Sequence, residues 1–233
     1  MENSELGCPG SLQQNREKGV GSLPHALFAE RGYAGMKIPM TAGILAGGKS
    51  TRMGRDKALL PYRRQTFLEH LAGELKDFDE LLVSVEGNLI SGIPDNYITV
   101  QDELEGFGPV EGIYQLLRRA SHPYVLVVAT DMQRLTAAFL RDLTAALRPE
   151  DRCLVPHSGA LLEPLCSVYH KEALPILAHM RAAGIHRPRF LFERMPTHYV
   201  SLEALGYDMH IVENINTQED YHALLYGESM SDS

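Results

Sequence analysis

From residue 36 onward the chain alternates short apolar, β-branched runs with amphipathic stretches of helical period, and few folds accept that order. "TAGIL" (41–45), "ELLVSVEG" (80–87), "NYITV" (96–100) and "YVLVVATD" (124–131) read as strands. Between them, "TFLEHLAGEL" places Phe67, Leu68, Leu71 and Leu75 on one helical face. Pro109 opens a second helix, marked by Val110, Ile113, Leu116 and Leu117. A third is expected from about Thr136 to Leu147, burying Phe139, Leu140, Leu143 and Leu147. Strand, helix, strand at this spacing predicts βαβ units: an α/β, three-layer Rossmann-like fold with a mostly parallel central sheet. "YVLVVATD" is the most apolar strand and is expected at the sheet centre. The C-terminal half is less regular. "CLVP" and "PLCSVY" suggest strands, 173–183 a helix, and "YHALL" a terminal helix with Thr217 as N-cap and Asp220 at N3.

Composition excludes several classes. The formal net charge of -8 argues against a protein that coats nucleic acid or an anionic membrane. No apolar run approaches the ~18 residues needed to cross a bilayer. Cys8, Cys153 and Cys166 are far apart, which fits a reducing cytoplasm better than a disulfide framework. The 10 histidines show no H-x-x-x-H spacing, so a zinc site is not expected. Residues 1–35 are rich in Gly, Pro, Ser and Gln and lack an apolar core for a signal peptide. They read as a disordered leader or as an upstream start before Met36 or Met40, leaving 36–233 as one domain with no linker to split it.

The chemistry-bearing stretch is "MTAGILAGGKSTRMGRDKALLPY" (40–62). Gly43 to Ser50 satisfy the pattern G-x-x-x-x-G-K-[ST] of P-loop nucleotide-binding proteins. A P-loop needs a strand ending before its first glycine and a helix opening at the Lys-Ser pair. Here Ile44 and Leu45, the best strand formers, fall inside the supposed loop, and no amphipathic helix starts before about Thr66. The match is therefore read as accidental. The loop still suits phosphate. Gly47 and Gly48 open the backbone amides to an anion, and Lys49, Arg52, Arg55 and Lys57 outnumber Asp56 inside an acidic chain.

"LAGGKSTRMGRDKALLPY" resembles the signature L-A-[GA]-G-x-S-x-R-M-G-x-x-K-x-L of nucleotidyltransferases with a GT-A-like Rossmann fold, and most closely that of the molybdenum cofactor guanylyltransferases (MobA). Further blocks resemble that family in order: "DELEGFGPVEGI" (102–113), "VLVVATDMQRL", "EPLCSVYH" and "VENINTQEDY". The resemblance implies an enzyme that joins GMP from GTP to molybdopterin, with Mg²⁺ as cofactor and release of pyrophosphate. It implies nucleotide contacts at Leu45, Ala46, Gly47, Gly48, Lys57, Asp102 and Asp131. Lys57 and Arg52 would act on the triphosphate, Asp131 would hold the metal, and Asn214 and Asn216 would lie near the acceptor pocket. The family asparagine after the second strand matches either Glu86 or Asn88.

Two of these roles have independent physical support. Asp131 ends the most apolar strand, where an α/β sheet presents its ligand, and a lone carboxylate there suits a cation completed by water and phosphate. The Lys57 ammonium and the planar fork of Arg52 suit charge building on a transferring phosphoryl group. The chain departs from the family pattern at Glu111, Thr130 and Gln133, where a small residue, a cysteine and a proline are usual. These departures keep other readings open: transfer from CTP or to a sugar phosphate, a P-loop NTPase, or a non-catalytic GTP-binding module. The expected partners are GTP and molybdopterin, with molybdoenzymes or cofactor-assembly proteins downstream, no nucleic acid and no membrane.

Overall fold

In the computed structural model, residues 38–46, 57–86 and 97–227 are described. Ten strands lie among them: β1 (Ile38–Leu45), β2 (Pro61–Tyr62), β3 (Gln65–Thr66), β4 (Phe78–Val85), β5 (Ile98–Gln101), β6 (Tyr124–Ala129), β7 (Cys153–Ser158), β8 (Leu161–Leu162), β9 (Cys166–His170) and β10 (Thr197–Ser201). The α-helices are α1 (Phe67–Glu74), α2 (Pro109–Arg119), α3 (Ala137–Ala145), α4 (Leu174–Ala182), α5 (Arg189–Phe192) and α6 (Gln218–Gly227).

The main sheet runs β10-β7-β9-β6-β1-β4-β5, with β8 beside β7. Pairing is parallel from β6 through β1 and β4 to β5, and again between β10 and β7. Strand β9 runs antiparallel to both β6 and β7. The apolar β6 takes the middle place, as expected. Its side chains alternate between two cores. Leu126 and Val128 join Met40, Ala42, Ile44, Val83 and Val85 under α1 and α3. Val125 and Val127 join Leu82 under α2 and α4. A strand buried on both faces has to be apolar throughout, which is what its sequence shows.

Helix starts follow local chemistry. Thr66 caps α1 in a reciprocal capping box with Glu69, and Pro109 takes the first turn of α2. Thr136 caps α3, which stops at Ala145. Leu147 therefore lies beyond the helix and is only partly buried against the core. Thr217 and Asp220 form the expected box at α6, the Asp220 carboxylate accepting the Thr217 N–H at 2.9 Å. Strand β1 is longer than its sequence suggested. Pro39 falls inside it, where the register with β4 shifts between Ile38 and Thr41, a place where a strand tolerates a missing donor.

That longer strand bears on the P-loop pattern. Gly43, Ile44 and Leu45 are ladder residues of β1, paired with both β4 and β6. Gly43 is glycine because helix α2 lies close: a Cβ there would sit 2.7 Å from Leu116 Cδ1. The first glycine of the pattern thus serves helix–strand packing rather than an anion.

Candidate active site

Strand order reverses between β1 and β6: β4 and β5 follow β1 on one side, and β6 takes the other. In open α/β sheets the crevice beyond the carboxyl ends at such a switch point is where ligands bind. Leu45 and Asp131 flank it. The edge is tied together by the Thr130 N–H, which donates to the Leu45 carbonyl at 3.1 Å, and by the Thr130 hydroxyl, which donates to the same oxygen. The Ala46 N–H donates to the Ser84 carbonyl at 2.8 Å. Leu45 and Ala46 are both buried, so they build the floor of the crevice.

Three segments far apart in sequence meet above that floor. Lys57 Nζ donates to Asp131 Oδ2 at 2.9 Å and to Asn216 Oδ1 at 3.0 Å. A third apolar cluster brings them there. Leu60, Tyr62 and Phe67, around the β2–β3 hairpin, pack on Ile215 and Leu224. The Tyr221 hydroxyl donates to the Pro61 carbonyl at 2.6 Å, and the Ile215 N–H to the Asp131 carbonyl at 2.9 Å. The Lys57 and Asp131 side chains keep about a fifth of their surface exposed, 21% and 20%, so both remain within reach of a ligand. Asn214 lies two residues from Asn216, and its Oδ1 is buried without a hydrogen-bond partner among the described residues.

Asp102 stands on the other side of the switch point, just past β5. Its carboxylate accepts the Ser84 hydroxyl at 2.6 Å, and its N–H donates to the Val85 carbonyl at 2.9 Å. Burial pushes its pKa up to about 6; the Ser84 hydrogen bond opposes this, while nearby Glu111 and Glu86 reinforce it. Gly112 makes this arrangement possible, because a Cβ there would lie 2.6 Å from Leu45 Cδ2 and 2.9 Å from the Ser84 hydroxyl. Glu86 accepts the Gly106 N–H and so folds the loop after Asp102 against β4.

The structure accounts for the three departures from the family pattern. Glu111 is fully buried and bound by Arg181 of α4, so its charge is turned into the fold. Thr130 makes the tie to Leu45 described above. Gln133 donates through Nε2 to the carbonyls of Thr130 at 2.6 Å and Phe67 at 3.2 Å. All three positions carry tertiary hydrogen bonds. Gly47, Gly48, Arg52 and Asn88 lie outside the described residues.

One group near the site went unselected in the sequence. Val128 pairs with Cys166 across β6 and β9, and the Ala129 N–H donates to the Leu165 carbonyl. Continuing that antiparallel pairing sets Glu163 opposite Asp131. Burial pushes the Glu163 carboxyl up to about 7, with the Leu165 N–H opposing and the Asp131 charge adding to it. The only signal for it was its place in "EPLCSVYH".

As a cation site the cluster fits one role. Among the described residues no group of three or more His, Cys, Asp and Glu forms a cage. A metal held at Asp131 therefore has to draw most of its ligands from elsewhere, as Mg²⁺ does when it is shared with nucleotide phosphates.

A MobA-like NTP transferase domain is recognised over residues 42–199. The chain belongs to that family. The molybdenum cofactor guanylyltransferase of Syntrophotalea carbinolica is 30% identical over 191 residues, covering 78% of this chain and 88% of that protein. Among solved structures, molybdopterin-guanine dinucleotide biosynthesis protein A from Archaeoglobus fulgidus superposes with a TM-score of 0.69 at 23% identity, covering 83% of this chain and 100% of that one. The 2-C-methyl-D-erythritol 4-phosphate cytidylyltransferase of Thermus thermophilus superposes at 0.60 with 21% identity, over 84% and 100%. These two likenesses establish the Rossmann-like fold that MobA-like transferases share with cytidylyltransferases. No helix among the described residues is long and apolar enough to cross a membrane.

Proposed function

We propose that this MobA-like transferase moves GMP from GTP to the terminal phosphate of molybdopterin in the cytoplasm, with Mg²⁺ as its cation and residues 36–233 as its working domain. The observation that carries this reading is the convergence of Lys57, Asp131 and Asn216 at the switch point of the sheet. A signature-loop cation, a strand-end acid and an amide from the closing "NINT" segment meet within hydrogen-bond distance, as a phosphoryl-transfer site requires.

In the reaction a phosphate oxygen of the acceptor attacks the α-phosphorus of GTP. The bond to the bridging oxygen of the β-phosphate breaks, and pyrophosphate leaves with that oxygen. The nucleophile is already anionic, so no side chain has to remove a proton. Lys57, freed from Asp131 when substrate arrives, offsets charge on the α-phosphate and the leaving group, with Arg52 as a second cation. Asp131 holds the Mg²⁺, which neutralises phosphate charge. Backbone amides at Gly47 and Gly48 receive phosphate oxygens, while Asp102 and the Leu45–Ala46 floor orient the nucleoside. Asn214, with its unpartnered buried oxygen, and Asn216 face the acceptor.

Incubation with Mg-GTP and molybdopterin tests this directly. The expected products are a guanine dinucleotide and pyrophosphate, with CTP and ATP poor substitutes. Inorganic phosphate as product, or equal use of CTP, defeats the proposal.

A further inference from the structure

Glu111 is a carboxylate at 0% exposure in the first turn of α2. It points away from the crevice, yet it is bound to the loop that carries Asp102. Its Oε1 accepts the backbone N–H of Glu103 at 2.9 Å and the Gln115 amide at 2.7 Å. Arg181 of α4 grips both carboxylate oxygens, through Nε at 2.5 Å and Nη2 at 3.1 Å. The same Nη2 reaches the Glu103 carboxylate at 2.9 Å, and the guanidinium lies 4.1 Å from the centre of the Tyr114 ring. Arg118 holds Glu103 from the other side at 2.7 Å.

We infer that the buried Glu111–Arg181 pair is a positioning device for nucleotide binding, clamping the main chain and side chain of Glu103 so that its neighbour Asp102 meets the nucleotide in one place. This rests on the proposed nucleotide role of Asp102. The argument is geometric. Asp102 is held upstream by β5 and by the Ser84 hydroxyl. Downstream, the chain enters a loop with two glycines at positive φ, Gly106 and Gly108, before α2 begins. A clamp at Glu103 fixes the backbone at the last point before that pliable stretch. A planar, two-pronged guanidinium suits the task better than an ammonium, since it meets two carboxylates and an aromatic face at once. The rigid link also ties α2 to α4, so loop and helices move as one body.

The test compares GTP affinity, kcat and melting temperature in four proteins: wild type, Asp102→Ala, Arg181→Met and the double variant Glu111→Ala/Arg181→Met. The double variant leaves no unpaired buried charge and is the one expected to fold well. In it, the Kd and KM for GTP should rise about tenfold, while kcat at saturating GTP stays within about twofold, because the displaced group positions substrate and takes no part in bond breaking. Unchanged GTP affinity in a folded double variant overturns the inference, as does a loss confined to the fraction of active protein. If wild type binds no GTP, the underlying assignment fails instead. If wild type binds and Asp102→Ala weakens binding while the double variant does not, the clamp alone is refuted.

Discussion

The two sides of the crevice handle charge in opposite ways. At Lys57–Asp131 one ion pair stands with about a fifth of each side chain in solvent. At Glu111–Arg181 the carboxylate is sealed, and Arg181, Gln115 and the Glu103 N–H all donate to it. An ion pair that water can reach gives up its partner cheaply, whereas a sealed one cannot lose a partner without stranding a charge. The first arrangement suits groups that must release each other to take phosphate and metal. The second suits groups that must never move. A single active-site edge thus needs both kinds of pair, and burial separates them.

The largest expected effect breaks the sealed side. Arg181→Met should lower stability by about 3–5 kcal/mol in urea denaturation, because Glu111 keeps a buried, unpaired charge. Lys57→Met, its counterpart on the open side, should change stability by no more than about 1 kcal/mol. Equal losses from the two substitutions would erase the contrast drawn above.

Activity should show the reverse order. Asp131→Ala is expected to lower kcat about 10²–10³-fold in a pyrophosphate-release assay, with Lys57→Met of similar size. Full activity in Asp131→Ala would remove the open pair from the mechanism.

A smaller effect probes Asp102 through pH. Its folded-state pKa, about 6, lies above the ordinary value of 3.8, so the folded protein holds the proton more tightly than the unfolded chain. Its contribution is fully present below pH 3.8, falls as pH rises through that window and levels off above about 6. Asp102→Asn should flatten this part of the stability–pH curve by about 1–2 kcal/mol, allowing for solvent screening. An identical curve for the variant would show that the carboxyl is not desolvated.

The smallest effect lies outside both sides, in the two-residue hairpin between β2 and β3. Arg63 and Arg64 there adopt φ of 47° and 66°, where Asn-Gly is the usual choice. Replacing them with Asn-Gly should raise stability by about 1 kcal/mol and leave GTP affinity unchanged.

Much of the architecture was readable because its signals are local. The period-2 and period-3.6 patterns of residues 41–147, the Thr66 and Thr136 caps, and Pro109 at a helix start each depend on neighbours within a turn or two. The C-terminal half was harder. β8 is two residues long, and the edge strand β10, "THYVS", has a single buried residue, so neither has enough apolar alternation to announce itself. The P-loop pattern could be set aside from sequence, since Ile44 and Leu45 were too strand-like for a loop. That Gly43 is small to admit Leu116 required the packed helix.

By itself, then, the sequence determined the layered α/β order, the signature loop, and Asp131 at the end of the central strand. Only the tertiary structure decided that Glu111 has Arg181 as its partner, 70 positions away, and that Glu163 faces Asp131 across the sheet. It likewise brought Lys57 to Asn216 over 159 positions. The reason is physical. Backbone periodicity is set by adjacent residues, but the partner of a charge is set by strand register and helix packing, which no window along the chain contains.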